Sequence, residues 1–384
     1  MLFLFLKALR EYNLIMRTLV ELYDAEQILN LISAMQLECD LVVFLYTADQ
    51  EHLIHNAMIE ELIEAEIEYI EYSTASLESV LDQIDGDEIF IDVHGGNDLS
   101  ISIVSAAAEK NGYHICYSGM STDQFYILHN GTTSIQKLKM PRLSVRQIVS
   151  LYGGKVRNLP ESYFDDYGRK AAEECLAEHR RSAKRWTAFA KAIASAGSTQ
   201  KENIVWRTDA KFYHEYENIL EKLPHVFDFC GIKDGKCELV FHDKAYQLLV
   251  TDIGVPFEYE TYYQMVDSKA FDDVDLRVNI DWNGGDFVSG DPNSELDVVA
   301  SLKGRLISIS CKAGKYDQQA IYEVKANADK FGGITSIPVL CADIDMERPE
   351  YVEKANELNV LLIEHEDMKK KRAAQMILKW METH

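Results

Sequence analysis

The chain has 384 residues, of which 47% are hydrophobic and 27% charged, a globular composition that predicts two or three domains at roughly 100–200 residues each. Its formal net charge is −24, and residues 1–155 and 156–384 are both acidic. This excludes a general polyanion-binding protein, because Lys and Arg normally neutralise the phosphates. Seven cysteines without C-x-x-C or zinc-finger spacing, and no pattern of a signal peptide or membrane span, predict a cytoplasmic protein without membrane association.

Strand and helix patterns alternate after a predicted N-terminal extension, residues 1–15. Short apolar or β-rich runs predict strands, and apolar residues at helical spacing predict helices between them. The predicted strands are residues 17–21, 41–46, 67–72, 88–93 and 113–117, and the predicted helices are residues 24–35, 51–66 and 99–110. This order indicates βαβ units and a parallel sheet in a first domain, residues 16–155.

Polar residues and glycines follow several of these strands. Parallel sheets bind ligands at the carboxyl ends of their strands, and here those ends carry Asp24, Thr47 and the HGGND turn, residues 94–98. Two glycines let the backbone approach a ligand, and the following helix offers free N–H groups to an anion. The turn lacks G-x-G-x-x-G, so it is not a dinucleotide fingerprint. A tight turn with Asn97 or Asp98 as helix cap is the structural alternative.

Residues 156–200 are predicted to form a helical connector. A long helix is expected over residues 169–196, with Trp186 and Phe189 beside a basic cluster. The cluster consists of His179, Arg180, Arg181, Lys184, Arg185 and Lys191. We expect a solvated face above an apolar stripe; a phosphate-contacting surface is the alternative, since the rest of the chain is acidic.

Residues 201–384 predict a mixed α/β domain. Strands are expected at residues 239–241, 247–250, 277–282, 295–300, 306–311, 337–342 and 360–364, and helices at residues 256–266, 317–331 and 367–381.

Chemistry-bearing residues converge on one predicted hairpin of this domain. Alternation places Glu295 and Asp297 on one face of the first strand, and Ser310 and Lys312 on one face of the second. An acid and a lysine at one end of a sheet can hold a divalent cation and stabilise charge during phosphodiester hydrolysis. A solvated lysine among abundant acids is the alternative interpretation.

Two more carboxylates, Glu258 and Glu260, lie on the predicted helix before this hairpin, and either one can add a ligand. The pattern E-L-D-V-V, followed after a turn by S-C-K-A-G and a helix, resembles the core of PD-(D/E)xK nucleases. The first half, with its parallel-sheet pattern and HGGND turn, resembles a CARF (CRISPR-associated Rossmann fold) domain. Together they resemble the CARF–nuclease ancillary effectors of type III CRISPR systems.

This resemblance implies an α/β fold, with an N-terminal Rossmann-like CARF domain and a C-terminal restriction-endonuclease-like domain. It implies a homodimer that binds a cyclic oligoadenylate, with cyclic tetra-adenylate favoured, and then cleaves DNA, RNA or both with Mg²⁺ or Mn²⁺ in antiviral defence. Asp297 matches the metal ligand and Lys312 the motif lysine, and Glu260 is favoured over Glu258 as the helix carboxylate. The implied activator contacts are Asp24, Gln27, Thr47, Gly95, Gly96, Asn97 and Asp98.

The chain departs from these families at two points. His94 and the Asn97-Asp98 pair replace a T-G-G-T-K-like turn, and Ser310 replaces the acid of (D/E)-x-K. A hydroxyl binds Mg²⁺ less well than a carboxylate. Either Glu295 or Glu260 therefore supplies the charge, or metal affinity is low, or the domain is inactive.

We expect activity, because Asp297 and Lys312 remain. The alternative is a ligand-binding CARF protein whose inactive nuclease-like domain acts through partner contacts. The activator's ring size, the choice between DNA and RNA, and degradation of the activator by the CARF domain stay open.

Overall fold

The computed structural model describes residues 15–119, 122–157, 165–281, 293–345 and 348–383. Two compact units divide the chain, Met1–Gly153 and Gly154–His384. Residues 1–14 of the predicted N-terminal extension lie outside the described residues. Within the described ranges, none of the helices combines the length and hydropathy needed to cross a bilayer.

The first unit is built on a seven-stranded sheet. Its strands are β1 (Arg17–Leu22), β2 (Leu41–Tyr46), β3 (Glu66–Glu71), β4 (Glu88–Asp92), β5 (His114–Gly119), β6 (Gln124–His129) and β7 (Thr132–Lys137). They lie in the order β3-β2-β1-β4-β5-β6-β7. Strands β1 to β5 pair in parallel, whereas β6 and β7 are added antiparallel. The predicted parallel sheet is confirmed.

The helices of this unit are α1 (Leu29–Leu37), α2 (Ala57–Leu62), α3 (Leu77–Leu81), α4 (Asp98–Asn111) and α5 (Val145–Leu151), and a 3-10 turn covers Ala48–Gln50. Strands β1, β2 and β4 are buried on both faces, which explains their continuous apolar sequences. The helix predicted over residues 51–66 is wrong in extent. His55 has a left-handed φ of 61°, which cannot continue a right-handed helix, and Asn56 caps α2 by accepting the N–H of Met58.

The second unit contains two sheets. Its strands are β8 (Lys155–Arg157), β9 (Val205–Asp209), β10 (Phe227–Lys233), β11 (Lys236–Phe241), β12 (Asp273–Asp281), β13 (Asn293–Leu302), β14 (Arg305–Lys312), β15 (Ile337–Ala342) and β16 (Leu361–Ile363). The larger sheet has the order β16-β15-β14-β13-β12-β8, and the smaller β10-β11-β9. Strands β13 and β14 form the predicted hairpin, and β14, β15 and β16 are parallel, so their carboxyl ends meet at one edge. The mixed α/β architecture is confirmed.

The helices of the second unit correct two predictions. They are α6 (Asp166–Arg181), α7 (Ala183–Gly197), α8 (Ala210–Leu220), α9 (Gln247–Thr251), α10 (Val255–Ser268), α11 (Gln318–Gly332), α12 (Pro349–Glu357), α13 (His365–Lys369) and α14 (Ala373–Met381), with 3-10 turns at Lys244–Tyr246 and Gly333–Thr335. The single helix over residues 169–196 breaks at Ser182, which is extended and accepts the N–H of Arg185 to start α7. The strand predicted at residues 247–250 is α9, because so short an apolar run does not distinguish strand from helix.

Helices α6 and α7, which the sequence assigned to a connector, belong to the core of the second unit. Cys175 of α6 and Trp186 and Phe189 of α7 are buried in the same cluster as Phe257 of α10 and Ile309 of β14. The apolar stripe expected beneath the basic cluster is therefore present, and it joins α7 to the elements that carry the candidate site.

Candidate functional site

The hairpin of β13 and β14 brings Asp297 next to the end of β14. Oδ2 of Asp297 accepts the backbone N–H of Cys311 at 2.7 Å and lies 3.3 Å from the Ser310 hydroxyl. Burial raises the pKa of Asp297, and the bonds from Cys311 and Ser310 and the positive charge of Lys312 oppose that rise. The alternation seen in the sequence thus places Asp297, Ser310 and Lys312 together.

Helix α10 adds Glu258 to this group. The side chain is buried, and desolvation together with the nearby charge of Asp297 raises the pKa of Glu258 to about 8. Arg277 of β12 opposes that rise, with Nη1 at 3.4 Å from Oε2 of Glu258. The buried Glu258 and the half-buried Asp297 therefore interact electrostatically at one end of the sheet.

Arg277 also holds the exposed Glu295, with Nη2 at 2.8 Å from Oε1. Its backbone has a φ of 52°, a left-handed value that is uncommon for an arginine and strained within a strand. Arg277 could not be predicted from the sequence, because a single arginine in a strand pattern carries no spacing signal. Its contacts link two of the predicted carboxylates.

Glu260 lies in a different ion cluster. The Arg180 guanidinium of α6 binds Glu260 with two bonds, of 2.9 and 2.6 Å, and also binds Asp343. Residues two apart on a helix do not face the same side, so α10 turns Glu258 toward the hairpin and Glu260 toward α6. The preference for Glu260 as the helix carboxylate stays a prediction, but the glutamate whose charge interacts with Asp297 is Glu258, whereas Glu260 is paired with Arg180.

Asp343 connects this cluster to the end of β14. Its backbone N–H donates to the Lys312 carbonyl at 3.0 Å. Its carboxylate is buried, which by itself raises the pKa, but His179 at 3.6 Å and hydrogen bonds from Arg180 and His365 outweigh burial and lower the pKa of Asp343. The cluster is therefore charged and lies directly behind Lys312.

The donor set fits a hard divalent cation. Within the described ranges, no group of three or more His, Cys, Asp and Glu side chains is arranged to hold a metal. Mg²⁺, however, is commonly held by one or two carboxylates, with water and substrate phosphate oxygens completing its coordination. Glu258 and Asp297 match this pattern. Burial first, and the charge of Asp297 second, raise the pKa of Glu258, and a bound cation would favour its ionised form.

In the first unit, the loops after β1 and β2 are tied together. The Gln50 side chain donates to the Tyr23 carbonyl at 2.8 Å and accepts the Thr47 N–H at 3.0 Å. Asp24 is partly exposed, and its carboxylate accepts the N–H of Glu26. Asp24 and Thr47 therefore flank one surface at the carboxyl edge of the sheet.

Gln27 lies beneath this surface. It is buried, and its amide bonds to Tyr23, to Asn56 and to the carbonyls of Asp24 and Ala25. Its side chain supports the loop and is not exposed to a ligand.

The HGGND turn packs closely on the end of β1. A Cβ on Gly95 would lie 1.7 Å from the Leu22 carbonyl oxygen, and Gly96 has a φ of 81°. Asn97 caps α4 by accepting the N–H of Ser100, and Asp98 is exposed. The turn therefore requires both glycines and presents the start of a 14-residue helix at the sheet edge.

His94 anchors the same turn from below. Its Nδ1 lies 3.0 Å from Asp92, its Nε2 lies 2.7 Å from the Ser118 carbonyl, and its ring stacks on Tyr117. Burial alone would lower the pKa of His94, but the bond to Asp92 outweighs it, so the pKa is raised.

A comparison with protein families finds a match within the second unit. Residues 250–383 match the family described as Card1-like, endonuclease domain. This part of the chain is similar to Card1-like endonuclease domains. The matched range contains Glu258, Arg277, Asp297 and Lys312. The nuclease resemblance is therefore confirmed, and no curated protein matches the chain.

Solved structures extend the similarity beyond the Card1-like domain. Protein VC1899 from Vibrio cholerae has a TM-score of 0.73 at 14% identity, over 95% of this chain and 98% of that one. Can2 from Sulfobacillus thermosulfidooxidans, in complex with cyclic tetra-adenylate, has a TM-score of 0.68 at 17% identity, over 95% and 99%. A type III CRISPR defence DNA nuclease activated by cyclic oligoadenylate has a TM-score of 0.50 at 13% identity, over 93% and 51%. The TM-scores of 0.73 and 0.68 establish a shared fold with the first two structures.

Proposed function

We propose that this protein is a nuclease of type III CRISPR antiviral defence that is activated by a cyclic oligoadenylate, with cyclic tetra-adenylate as the favoured ring. The observation that carries the proposal is a Card1-like endonuclease domain within a chain whose fold, over 95% of its length, matches a protein solved with cyclic tetra-adenylate. The grouping of Glu258, Asp297 and Lys312 supports the nuclease part, because paired carboxylates beside a lysine suit phosphodiester hydrolysis.

In this proposal, Asp297 and Glu258 hold Mg²⁺ or Mn²⁺, and Glu295 lies at the rim with Arg277. A bound divalent cation supplies Lewis acidity and lowers the pKa of a bound water. Lys312 stabilises negative charge on the phosphate in the transition state. Ser310 hydrogen-bonds to Asp297 and orients it.

The activator site is assigned to the carboxyl edge of the first sheet. Residues 1–155 have a net charge of −14, so backbone N–H groups at the Gly95-Gly96 turn and at the start of α4 are the suitable partners for phosphates. Asp24, Thr47 and Asp98 flank that edge and suit hydroxyl or base contacts. A ring with two-fold symmetry is best bound by two copies of this surface, hence a homodimer.

Ser310 favours a second candidate function. Without the acid of the (D/E)-x-K pattern, the protein can be a cyclic-oligoadenylate sensor whose nuclease-like domain is inactive and acts through partner contacts.

One experiment separates the two. Purified protein is incubated with supercoiled DNA, single-stranded DNA and single-stranded RNA, in Mg²⁺ or Mn²⁺, with and without each cyclic oligoadenylate. We expect cleavage only with activator and metal, and none by a Lys312→Ala variant prepared in parallel. Activator binding by calorimetry without cleavage of any substrate would establish the inactive sensor, and absence of both would overturn the proposal.

A further inference from the structure

Helix α7 (Ala183–Gly197) has one face that is basic and exposed. Its 15 residues contain no Asp or Glu. Lys184, Arg185 and Lys191 are exposed, while Trp186 and Phe189 on the opposite side are buried in the core. We call Lys184, Arg185 and Lys191 the α7 basic face. In a chain with a net charge of −24, a helix without acids is a marked local departure.

Among the described residues, these three cations have no ion-pair partner. Across the described part of the chain, no carboxylate lies within 4 Å of their charged ends, whereas Arg169, Arg180 and Arg207 are each held by acids. Lys184 and Arg185 also lie in the first turn of α7, where the helix dipole disfavours positive charge. A residue pattern that opposes local stability, with no compensating contact, is typical of a functional surface.

The chain path places the start of this face close to the candidate active site. Arg180, near the end of α6, binds Asp343, and the backbone N–H of Asp343 donates to the carbonyl of Lys312. The basic face begins four residues after Arg180 and continues along α7. Lys184 and Lys191 lie nearly two turns apart on the same side of the helix. They are separated by about 10 Å, at about 1.5 Å per residue, which spans about three phosphates of a strand at about 3.4 Å each.

We propose that the α7 basic face binds the phosphate backbone of the substrate nucleic acid and aligns it with the Card1-like domain. This inference rests on the proposed nuclease function and adds the surface that receives the substrate. Phosphates are the ligand that complements this face, because they supply the negative charge that no carboxylate of the described residues supplies to its three cations. Contacts of this kind position a strand without reading its sequence.

The test compares two triple variants of the full-length protein. Lys184→Ala/Arg185→Ala/Lys191→Ala removes the basic face, and alanine preserves the helix. The control, Lys325→Ala/Lys354→Ala/Lys370→Ala, changes net charge equally at lysines that are paired with acids. Binding of labelled single-stranded DNA, duplex DNA and single-stranded RNA is measured against salt, in EDTA with cyclic tetra-adenylate, and KM and kcat are then measured with metal.

We expect the α7 variant to bind more weakly and to have a less negative slope of log K against log salt, by roughly 2–3 for three contacts at about 0.7–0.9 each. KM should rise with kcat unchanged, because the lost contacts act equally on ground and transition states. The control should match wild type, and thermal unfolding of the α7 variant should be unchanged or slightly improved. The nucleic acid whose salt dependence of binding changes most between wild type and the α7 variant identifies the substrate class.

An unchanged salt slope and KM in the α7 variant would overturn this inference while leaving the nuclease proposal intact. Conversely, wild-type protein that binds nucleic acid through the basic face but cleaves nothing would refute the nuclease proposal and retain the surface. Equal losses of nucleic-acid affinity in the two triple variants would mean that net charge, and not the α7 basic face, controls binding. This result would also overturn the inference.

Discussion

Two residues, Ser310 and Glu258, explain how many carboxyl groups the candidate active site contains besides Asp297. Ser310 stands where the PD-(D/E)xK pattern has an acid, and it donates a hydrogen bond to Asp297 without adding a charge. Glu258 supplies a carboxyl group from α10, and burial, together with the charge of Asp297, raises its pKa to about 8. In the proposed site, the second carboxylate would therefore come from α10 and not from β14.

Substitutions at these positions should differ in their effects. Asp297→Ala and Lys312→Ala should each lower cleavage by at least about 100-fold, because each loss costs a few kcal/mol of transition-state stabilisation. Glu258→Gln should cost more than Ser310→Ala, since a hydroxyl is a weak ligand beside a carboxylate. Cleavage is measured in single-turnover reactions. Activator binding is measured by calorimetry, and its affinity should stay unchanged in all these variants. If Ser310→Ala proves as damaging as Asp297→Ala, Ser310 has a direct role such as positioning the attacking water.

The Glu258 proton should be visible in the pH dependence of stability. The folded chain holds this proton up to a pKa of about 8, whereas an ordinary glutamate releases it near 4.5. Between these values the folded state binds more protons, so the free energy of unfolding should fall as pH rises, by up to about 1.4 kcal/mol per pH unit. Urea denaturation in EDTA from pH 5 to 8.5 measures this slope. Glu258→Gln should flatten it, and an identical slope in wild type and variant would contradict the raised pKa.

At the scale of elements, two junctions position the candidate sites. The Gly95-Gly96 turn joins β4 to α4 and packs against the end of β1. Arg180 joins α6, α10 and the end of β15 through Glu260 and Asp343. Each junction connects segments that are distant in sequence. A substitution there should therefore alter the geometry of the sheet edge that carries the candidate site.

Gly96→Ala should weaken binding of cyclic tetra-adenylate. The residue has a left-handed φ of 81°, and a Cβ would lie 2.7 Å from Leu22 Cδ1, so the turn must shift. Gly112→Ala, at the other end of α4, is the matched control, because Gly112 also has a positive φ, of 70°, but has open space around it. Calorimetry should show lost affinity for Gly96→Ala only. Gly112→Ala should lose about 1 kcal/mol of stability, and Gly96→Ala more, because only Gly96 also meets Leu22. Equal affinities would remove this turn from the activator site.

Arg180→Met should destabilise the protein by about 3 kcal/mol, because it leaves Glu260 and the buried Asp343 without their shared cation. Arg169→Met is the control. It breaks a more exposed pair with Asp267 and should cost about 1 kcal/mol or less. Urea denaturation at pH 7 compares the two, and equal losses would show that the Arg180 cluster contributes no more than a surface ion pair.

For the whole molecule, the proposal requires two copies of the first unit around one activator. A cyclic ligand with two-fold symmetry is matched by an isologous dimer. Light scattering should therefore give a mass near twice the 43.8 kDa of the chain, either without ligand or after addition of cyclic tetra-adenylate. A monomer in both conditions would contradict the activation mechanism while leaving the endonuclease assignment in place.

Local patterns were sufficient to predict the architecture and part of the candidate site. The continuous apolar runs of β1, β2 and β4 reflect burial on both faces, and the alternation along β13 and β14 brings Asp297, Ser310 and Lys312 to one end of a hairpin. Both are periodicities of the backbone, so they can be read from sequence without knowledge of distant contacts.

Tertiary packing alone decided which neighbours these residues have. Glu258 and Glu260 lie on the same helix, and only the packing of α10 between the hairpin and α6 determines that Glu258 lies beside Asp297 while Glu260 pairs with Arg180. Arg180 and Asp343 are 163 residues apart, a contact that no local spacing specifies. The periodicity of a helix or strand defines which of its residues share a face. Which other element packs against that face depends on how separate elements bury their apolar surfaces together.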